Sequence, residues 1–401
     1  MKIDLTDTTS SKINAALMEA RRASGSTAAG MVLTLVIVTD EGSAYDALKA
    51  ANDASREHPS RTLAVIKRAG RSPRARAETR LDAEILVGSA AGSGETVILR
   101  MHGELVSHAQ SVVLPLLLPD APVVVWWPEN APLHPAQDPL GSIAQRRITD
   151  AVTAESPVGQ LAQRAQSYTP GDTDLAWTRI TGWRSMLAAA LDQRPSTITS
   201  AVVEGESYNP SVELLGLWLH TRLHVPVERV VTNGPGITAV HLRTTDGDIT
   251  LDRPDGLMGT LSMPGSPDRQ VALKRRETSE LIAEELRRLD PDDIYAAAVR
   301  TPVDRLREPS DEPAPVVEAA AAEVAVAAVA AAAEAAVAAE TPAPAKQAPA
   351  EAPAPAKQAP AEKPAPAKKA PAEKPAPAKK APAPVTAKKA SGKRSAKKAG
   401  A

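Results

Sequence analysis

The stretch that most restricts what this chain can fold into is a nearly continuous aliphatic run, MVLTLVIVT, at residues 31–39. A strand with one solvated face alternates apolar and polar residues, whereas a strand covered on both faces reads as an unbroken apolar run. Residues 43–59, which follow it, show helical spacing and end at a proline. A covered strand that leads into a helix predicts an α/β fold.

Further strand-like runs recur before residue 130. They are RTLAVIKR, AEILVG, TVILRMHGE and APVVVWW. The glycine-rich GSAAGSG between two of them predicts a loop that joins neighbouring strands, because it is too short for a helical crossover. We therefore predict an N-terminal α/β domain with a mixed sheet at residues 1–155.

A second α/β domain with a mixed sheet is predicted at residues 165–305. Its signals are a long helix, DLAWTRITGWRSMLAAALDQ, a strand TSAVVEG, a helix SVELLGLWLHTRLH and a hairpin with Asp246-Gly247 at its turn. Near its end, Asp290 is predicted to cap a last helix that has Pro291 in its first position.

Beyond these domains the composition becomes strongly biased. Residues 306–340 are predicted to be an Ala-rich spacer. Residues 341–401 repeat a Lys/Ala/Pro pattern with a period of 11 residues, which predicts a disordered tether. This tail carries 14 Lys and Arg against 3 Glu, for a net charge of +11, and leaves −12 on residues 1–340. A weak contact of the tail with polyanions is expected.

Signals for catalysis are weak throughout the sequence. The chain contains no cysteine, so disulfides, thiolate metal sites and thiol nucleophiles are excluded. The glycine-rich segment lacks the Lys-Ser/Thr of a phosphate-binding loop, and no serine stands in a Gly-x-Ser-x-Gly context. His220 and His224 share a helical face but lack the intervening glutamate of a zinc protease, which favours a solvated face. We predict a protein that is not an enzyme and uses no metal or cofactor.

Two adjacent tryptophans, Trp126 and Trp127, end a valine-rich strand in a chain without phenylalanine. Because side chains alternate along a strand, the two indoles must face opposite ways. One is predicted to cover the core and the other to lie at the surface or at the domain junction. The second indole is then either a partner anchor or a contact between the two domains, and the sequence leaves both open.

The long helix carries an apolar stripe with arginines on both borders. Its members Ile180, Trp183, Leu187, Ala190 and Leu191 are predicted to face the core. Arg179 and Arg184 flank the stripe, and Trp177 lies beside Arg184. These three side chains are candidates for partner binding, since Arg and Trp are enriched at interface hot spots. The alternative is that the arginines pair with the protein's own carboxylates.

The segment SIAQRRITDA offers a second basic group. Arg146 and Arg147, followed by Asp150, could bind a sugar phosphate, because guanidinium groups match phosphate oxygens in pairs. They could equally form structural ion pairs or an interface. We include Arg146 and Arg147 among the partner-binding candidates, and keep a sugar-phosphate-binding enzyme or sensor as the alternative function.

Five motifs taken together identify a family. They are LLLPDAPVVVWWPENAP, SIAQRRITDA, YTPGDTDLAWTRITGWRSMLAAALDQ, GPGITAV and EELRRLDPDDIYAAAV. In this order, over about residues 1–305, they resemble the actinobacterial form of the OpcA family of glucose-6-phosphate dehydrogenase assembly proteins. The Lys/Ala/Pro tail lies outside the resemblance.

The resemblance implies a function but assigns no binding residue. It implies a non-catalytic protein that binds glucose-6-phosphate dehydrogenase, promotes its active oligomer and raises its activity in the oxidative pentose phosphate pathway. Cyanobacterial relatives are associated with thioredoxin-dependent control, which this cysteine-free chain could not sense through its own thiols. The N-terminus shows no export signal and no segment is apolar enough for a membrane span, so a cytoplasmic protein is expected.

Overall fold

The aliphatic run at residues 31–39 forms strand β2, Leu33–Thr39, which is buried at every position. The structure is a computed structural model and describes residues 1–25, 30–68, 79–88, 94–193 and 197–306. These residues belong to one compact unit, Met1–Ala343. The predicted disordered tail and nearly all of the predicted spacer lie outside the described residues, and the division into two domains stays a prediction.

Eight strands form the first sheet. They are β1 (Lys2–Leu5), β2, β3 (Ser60–Arg68), β4 (Arg80–Val87), β5 (Glu95–His102), β6 (Val123–Trp126), β7 (Arg146–Thr149) and β8 (Asp172–Asp174). Their order across the sheet is β1-β4-β5-β3-β2-β6-β7-β8. The six neighbouring strands from β5 to β8 in this order pair in parallel, and β4 is antiparallel to both β5 and β1. β4 is therefore the one described strand of this sheet that runs against the others. The predicted mixed sheet is confirmed, as is the short connection between the antiparallel neighbours β4 and β5.

Helices cover both faces of this sheet, as the apolar run of β2 requires. On one face lie α1 (Ser10–Ser24) and α3 (Ala109–Val113), which share a hydrophobic cluster with β3, β4 and β5. On the other face lie α2 (Ala44–Ala54) and α8 (Thr278–Arg287). The last of these comes from the C-terminal half of the chain, so the first sheet is completed by residues that lie far along the sequence.

Six strands form the second sheet. They are β9 (Ile198–Glu206), β10 (Val227–Thr232), β11 (Ile237–Thr244), β12 (Ile249–Asp252), β13 (Met258–Ser262) and β14 (Arg269–Ala272). The order is β10-β9-β11-β12-β13-β14. β9 and β10 are parallel and the remaining pairs are antiparallel, which confirms both the mixed sheet and the hairpin that turns at Asp246-Gly247.

Five helices pack on one face of the second sheet. They are α4 (Pro157–Ser167), α5 (Leu175–Thr178), α6 (Thr181–Gln193), α7 (Pro210–Leu223) and α9 (Asp293–Arg300). The opposite face carries polar pairs such as Glu204 and His241, whose Oε1 and Nε2 atoms are 3.2 Å apart. No described helix is long and apolar enough to cross a membrane.

The predicted long helix is divided in two. Residues 172–174 form β8, because Asp172 pairs in register with Arg147 of β7, so the helix begins only after Asp174. Asp174 caps that helix by accepting a hydrogen bond from the Ala176 amide at 2.9 Å. Between α5 and α6, the Ile180 amide bonds to the Trp177 carbonyl, which is a tighter turn than that of an α-helix.

The last helix begins two residues later than predicted. Asp292, not Asp290, is the N-cap of α9, and its Oδ1 accepts hydrogen bonds from the amides of Ile294 and Tyr295, both at 2.9 Å. The carbonyl oxygen of Asp290 instead accepts a hydrogen bond from Arg146 Nη1 at 2.7 Å. The Asp290-Pro291 signal therefore marks a tertiary contact instead of the helix start.

Candidate functional site

The two adjacent tryptophans lie on opposite faces of the first sheet, as predicted. Trp126 ends β6 and belongs to the cluster that includes Leu281 and Ile282 of α8. Trp127 belongs to the cluster on the other face, which also contains residues of α1. Both are buried, with 1% and 2% of their surface exposed. Trp126 thus shares a hydrophobic cluster with a helix from the C-terminal half of the chain, and neither indole projects into solvent.

Arg146, the first residue of β7, forms a buried ion pair with Glu285 of α8. Its Nη2 and Nε atoms donate to Glu285 Oε2 at 2.5 and 3.1 Å. The other carboxylate oxygen, Oε1, accepts a hydrogen bond from Thr178 Oγ1 at 2.5 Å. Burial by itself lowers the pKa of the Arg146 guanidinium, but the Glu285 carboxylate outweighs it, so the pKa is raised. This contact ties the first sheet to the C-terminal half of the chain.

Arg147 is bound within the first sheet. Its Nε donates to Asp172 of the neighbouring strand β8, and its Nη1 and Nη2 donate to the carbonyls of Ala144 at 2.8 Å and Pro170 at 2.5 Å. The side chain is 7% exposed. All three guanidinium nitrogens therefore bind the protein itself.

The geometry of β7 argues against a shared phosphate site at Arg146 and Arg147. As neighbours on a strand they project to opposite faces of the sheet, so the two guanidiniums cannot hold one anion together. Each is already matched by an internal carboxylate, Glu285 or Asp172. The alternative of structural ion pairs, which the sequence left open, is the one that this arrangement supports.

Asp150 and Arg179 form the third ion pair of the region. Arg179 Nη1 and Nη2 donate to the two carboxylate oxygens of Asp150 at 2.8 and 2.7 Å. Burial raises the pKa of Asp150, and the nearby Asp174 carboxylate adds to this, although Arg179 acts in the opposite direction. The Arg179 side chain keeps 26% of its surface exposed, in contrast to the buried arginines of β7.

Trp177 links α5 to the start of α9. Its indole Nε1 donates to Asp292 Oδ2 at 2.8 Å, while the other oxygen of Asp292 caps α9. The Arg184 guanidinium stacks on the indole, with Cζ 3.7 Å from the ring centroid. The apolar stripe between these residues is buried at all five predicted positions, Ile180, Trp183, Leu187, Ala190 and Leu191. The predicted core face and its arginine borders are confirmed.

We name the buried polar region at the meeting point of β7, β8, α5, α8 and α9 the seam. It consists of Arg146, Arg147, Asp150, Asp172, Trp177, Arg179, Glu285 and Asp292. Sequence reasoning found five of these residues as candidates or alternatives but assigned no role to Asp172, Glu285 and Asp292 as their partners. The one available signal was that buried arginines require carboxylates, and Glu285 and Asp292 lie in a segment rich in acidic residues.

The described residues contain no candidate metal site. Among them, no group of three or more His, Asp and Glu side chains is arranged to hold a metal ion. His220 Nδ1 lies 3.1 Å from the carbonyl oxygen of Val225, where it joins the end of α7 to the next loop. The polar groups of the seam, described above, are bound to one another.

Two solved structures that match this chain are distant likenesses. A crystal structure of an oxidoreductase from Sinorhizobium meliloti is 10% identical, with 74% of this chain and 95% of that chain covered and a TM-score of 0.36. An E. coli structure described as trehalose-6-phosphate bound with UDP-2-fluoro glucose is 8% identical, with 50% and 65% covered and a TM-score of 0.21. At these scores neither bears on function. No curated protein sequence matches this chain.

Two sequence families match the chain in succession. Residues 51–166 match the family described as the N-terminal domain of a glucose-6-phosphate dehydrogenase subunit, of the OpcA assembly type. Residues 170–299 match the family described as the C-terminal domain of the same kind of protein. The matched segments include every residue of the seam. They agree in order with the resemblance carried by the sequence motifs, but they begin at residue 51, whereas the resemblance extends over about residues 1–305. The chain belongs to the OpcA family of glucose-6-phosphate dehydrogenase assembly proteins.

Proposed function

We propose that this protein binds glucose-6-phosphate dehydrogenase, favours its active oligomer and thereby raises its activity, without catalysing a reaction of its own. Membership of the assembly family supports the choice of partner. The proposal places the protein in the cytoplasm with that enzyme, in the oxidative pentose phosphate pathway.

The observation that carries the proposal is the internal pairing of the seam. Arg146, Arg147 and Arg179 are each bound to a carboxylate of the same chain. Groups engaged in this way are not free to act as a general base or to cradle a substrate anion. They instead fix β7, β8 and α8 relative to one another, which suits a protein that presents a preformed surface to another protein.

Among the seven candidates, we propose Arg179 and Arg184 as direct contacts with the dehydrogenase. Both are only partly buried, whereas Trp126, Trp127, Arg146, Arg147 and Trp177 are buried. A partly exposed arginine already held in place by a carboxylate or an indole loses little conformational freedom on binding. The five buried candidates act as positioning residues that hold the region around Arg179 and Arg184 in place.

Activation requires the protein to bind one state of the enzyme more tightly than another, since equal binding to all states shifts no equilibrium. A preference of about 1.4 kcal/mol for the active oligomer changes the ratio of oligomeric states about tenfold. The activator therefore needs only a modest difference in affinity between the two states.

The test mixes the purified full chain with its cognate dehydrogenase. We expect a complex on size-exclusion chromatography together with a lower KM for glucose 6-phosphate or a higher kcat. The isolated chain, assayed with glucose 6-phosphate and NADP, should give no turnover. The absence of a complex together with unchanged kinetics would overturn the proposal, and so would turnover by the isolated chain.

A further inference from the structure

The first sheet contains a point at which the direction of its strand order reverses. From β2 the chain moves to β3 on one side, and it later returns to β6 on the other side. The three strands are parallel, so their carboxyl ends meet at one edge of the sheet. In open α/β sheets, the crevice outside the carboxyl ends at such a reversal is the general location of ligand sites.

A cavity of about 240 Å³ occupies this position. It is lined by Val38, Thr39, Asp40, Lys67, Trp127, Glu129, Asn130, Pro132 and Asp138. These residues come from the end of β2, from β3 and from the segment after β6. None of them belongs to the seam, and neither Arg179 nor Arg184 lines the cavity. Trp127 is the one lining residue that is also a partner-binding candidate.

Two polar groups of the lining lack partners. Thr39 is only 6% exposed, and its Oγ1 has no hydrogen-bond partner among the described residues. Glu129 Oε1 is buried and, within the same part of the chain, equally without a partner. An unsatisfied buried polar group costs about 1–3 kcal/mol, so such groups usually mark the place of a ligand or of bound water.

The remaining charged groups give the cavity its chemistry. Asp40 Oδ1 accepts hydrogen bonds from the amides of Gly42 at 2.8 Å and Ser43 at 3.1 Å, which fixes this carboxylate in the wall. Asp138 Oδ1 is held in the same way by the amides of Leu140 and Gly141. Lys67 forms no ion pair with any described residue. The lining is rich in acceptors, and its three carboxylates outnumber its single ammonium group.

An acceptor-rich, negatively charged lining disfavours phosphates and other anions. It favours a molecule with several hydroxyl groups. Glu129 and Thr39 would accept hydrogen bonds from these hydroxyls, and Lys67 would donate to their oxygens. The apolar lining residues Val38, Trp127 and Pro132 suit the carbon skeleton of such a molecule. The cavity is smaller than the roughly 300–1,000 Å³ of typical pockets for drug-sized ligands, so the ligand must be small.

We propose that this cavity binds a small, uncharged, hydroxyl-rich molecule of about the size of a monosaccharide. Glu129 and Thr39 are its main polar contacts, and Lys67 supplies the donor. The proposal does not depend on the proposed function, because binding is measured on this chain alone, without the dehydrogenase.

The experiment is isothermal titration calorimetry of the full chain against free aldohexoses and aldopentoses, with glucose 6-phosphate and spermidine as charged competitors for the same site. We expect at least one neutral sugar to bind saturably, with affinity reduced tenfold or more by Thr39→Val and by Glu129→Gln. Thr39→Val should not lower the Tm, because the hydroxyl that it removes has no partner among the described residues.

Thr8 provides a matched control. It is 8% exposed, its Oγ1 also lacks a partner within the described part of the chain, and it does not line the cavity. Thr8→Val should leave sugar affinity unchanged, as should Glu155→Gln at an exposed position. If no neutral sugar binds, the cavity holds only water and the proposal is overturned. Binding of glucose 6-phosphate or spermidine in place of a neutral sugar, or equal affinity in the Thr39 and Glu129 variants, overturns it as well.

Discussion

Arg146 and Glu285 lie 139 positions apart in the chain, and their side chains form an ion pair in which each is only 5% exposed. The pair connects β7, at one side of the first sheet, to α8, which returns from the C-terminal half to cover that sheet. Removal of either partner would leave the other as an uncompensated buried charge, so the pair holds two distant parts of the chain together only while both members are present.

Replacement of Arg146 with methionine should lower the free energy of unfolding by about 3–5 kcal/mol, because the Glu285 carboxylate then loses its counter-charge inside the protein. The double variant Arg146→Met/Glu285→Leu should recover most of the loss, since an apolar pair carries no desolvation penalty. Urea denaturation measures the free energy of unfolding of both variants. Lys274→Met, which breaks an exposed pair with Glu280, should cost less than about 1 kcal/mol. Equal effects at the two sites would contradict this account.

A comparison of Trp177 with Trp218 measures how much one indole hydrogen bond contributes to the stability of the fold. Both are buried, but Trp177 Nε1 donates to Asp292, whereas Trp218 Nε1 has no partner among the described residues. Trp177→Phe should therefore destabilise the fold by about 1.5–3 kcal/mol more than Trp218→Phe, the value of a hydrogen bond to a charged group. Denaturant melts of the two variants give the difference. An equal loss would show that the bond to Asp292 contributes nothing.

The pH dependence of stability should carry the signature of Asp150. Burial raises its pKa above the usual 3.8, in spite of Arg179, so the folded state holds a proton that the unfolded chain has already released. Between pH 3.8 and the raised pKa of the folded protein, the folded state binds more protons than the unfolded chain. The contribution of Asp150 to the free energy of unfolding therefore falls as pH rises above 3.8. The stability difference between the wild type and Asp150→Asn should therefore shrink or change sign as pH rises through that range.

Asp255 is the control of opposite sign for this pH experiment. It is exposed, and hydrogen bonds from the amides of Leu257 and Met258 lower its pKa. Its contribution is present above the usual value of 3.8 and is lost as pH falls through the lower folded pKa. The difference between the wild type and Asp255→Asn should thus grow with rising pH. The same slope in both variants would refute the assignment at Asp150.

Contact of Arg179 with the dehydrogenase is testable by removal of a whole ion pair, which avoids leaving a buried charge. Arg179→Leu/Asp150→Asn should raise the Kd for the enzyme about tenfold or more, as expected for an arginine at an interface hot spot. The matched control is Arg243→Leu/Asp248→Asn, which removes an exposed ion pair outside the seam, at the hairpin between β11 and β12. Titration followed by dehydrogenase activity measures both. A similar loss of affinity in the two double variants would argue against a direct contact of Arg179.

Deletion of residues 341–401 should leave activation of the dehydrogenase intact. This segment lies beyond the residues matched by the family, which end at residue 299. Its net charge of +11 should instead support weak binding to polyanions such as nucleic acid, which rising salt would abolish. Kinetics of the truncated chain and a salt titration of nucleic-acid binding decide the two points. A truncated chain that no longer activates would place the function in the tail.

Local patterns were enough to predict much of the fold. The unbroken run of β2 required covering on both faces, the stripe from Ile180 to Leu191 required a buried helix face, and alternation alone placed Trp126 and Trp127 on opposite sides. Each of these follows from the period of a single element, which the sequence carries directly. The same alternation separates Arg146 from Arg147 once their segment is known to be a strand, but the short segment RRIT carries no strand signal of its own.

The tertiary structure determines which side chains pair with each other inside the protein. Arg146 acquires its role from Glu285 and Trp177 from Asp292, and nothing in the local sequence specifies a contact across more than 100 positions. The cavity at the strand reversal likewise joins residues from three separate segments, including Thr39, Lys67 and Glu129. The sequence by itself determined which residues must be buried and what each element is. Only the packing of elements against one another, which depends on the whole chain at once, determined which buried charge meets which, and which of the described polar groups remain without a partner.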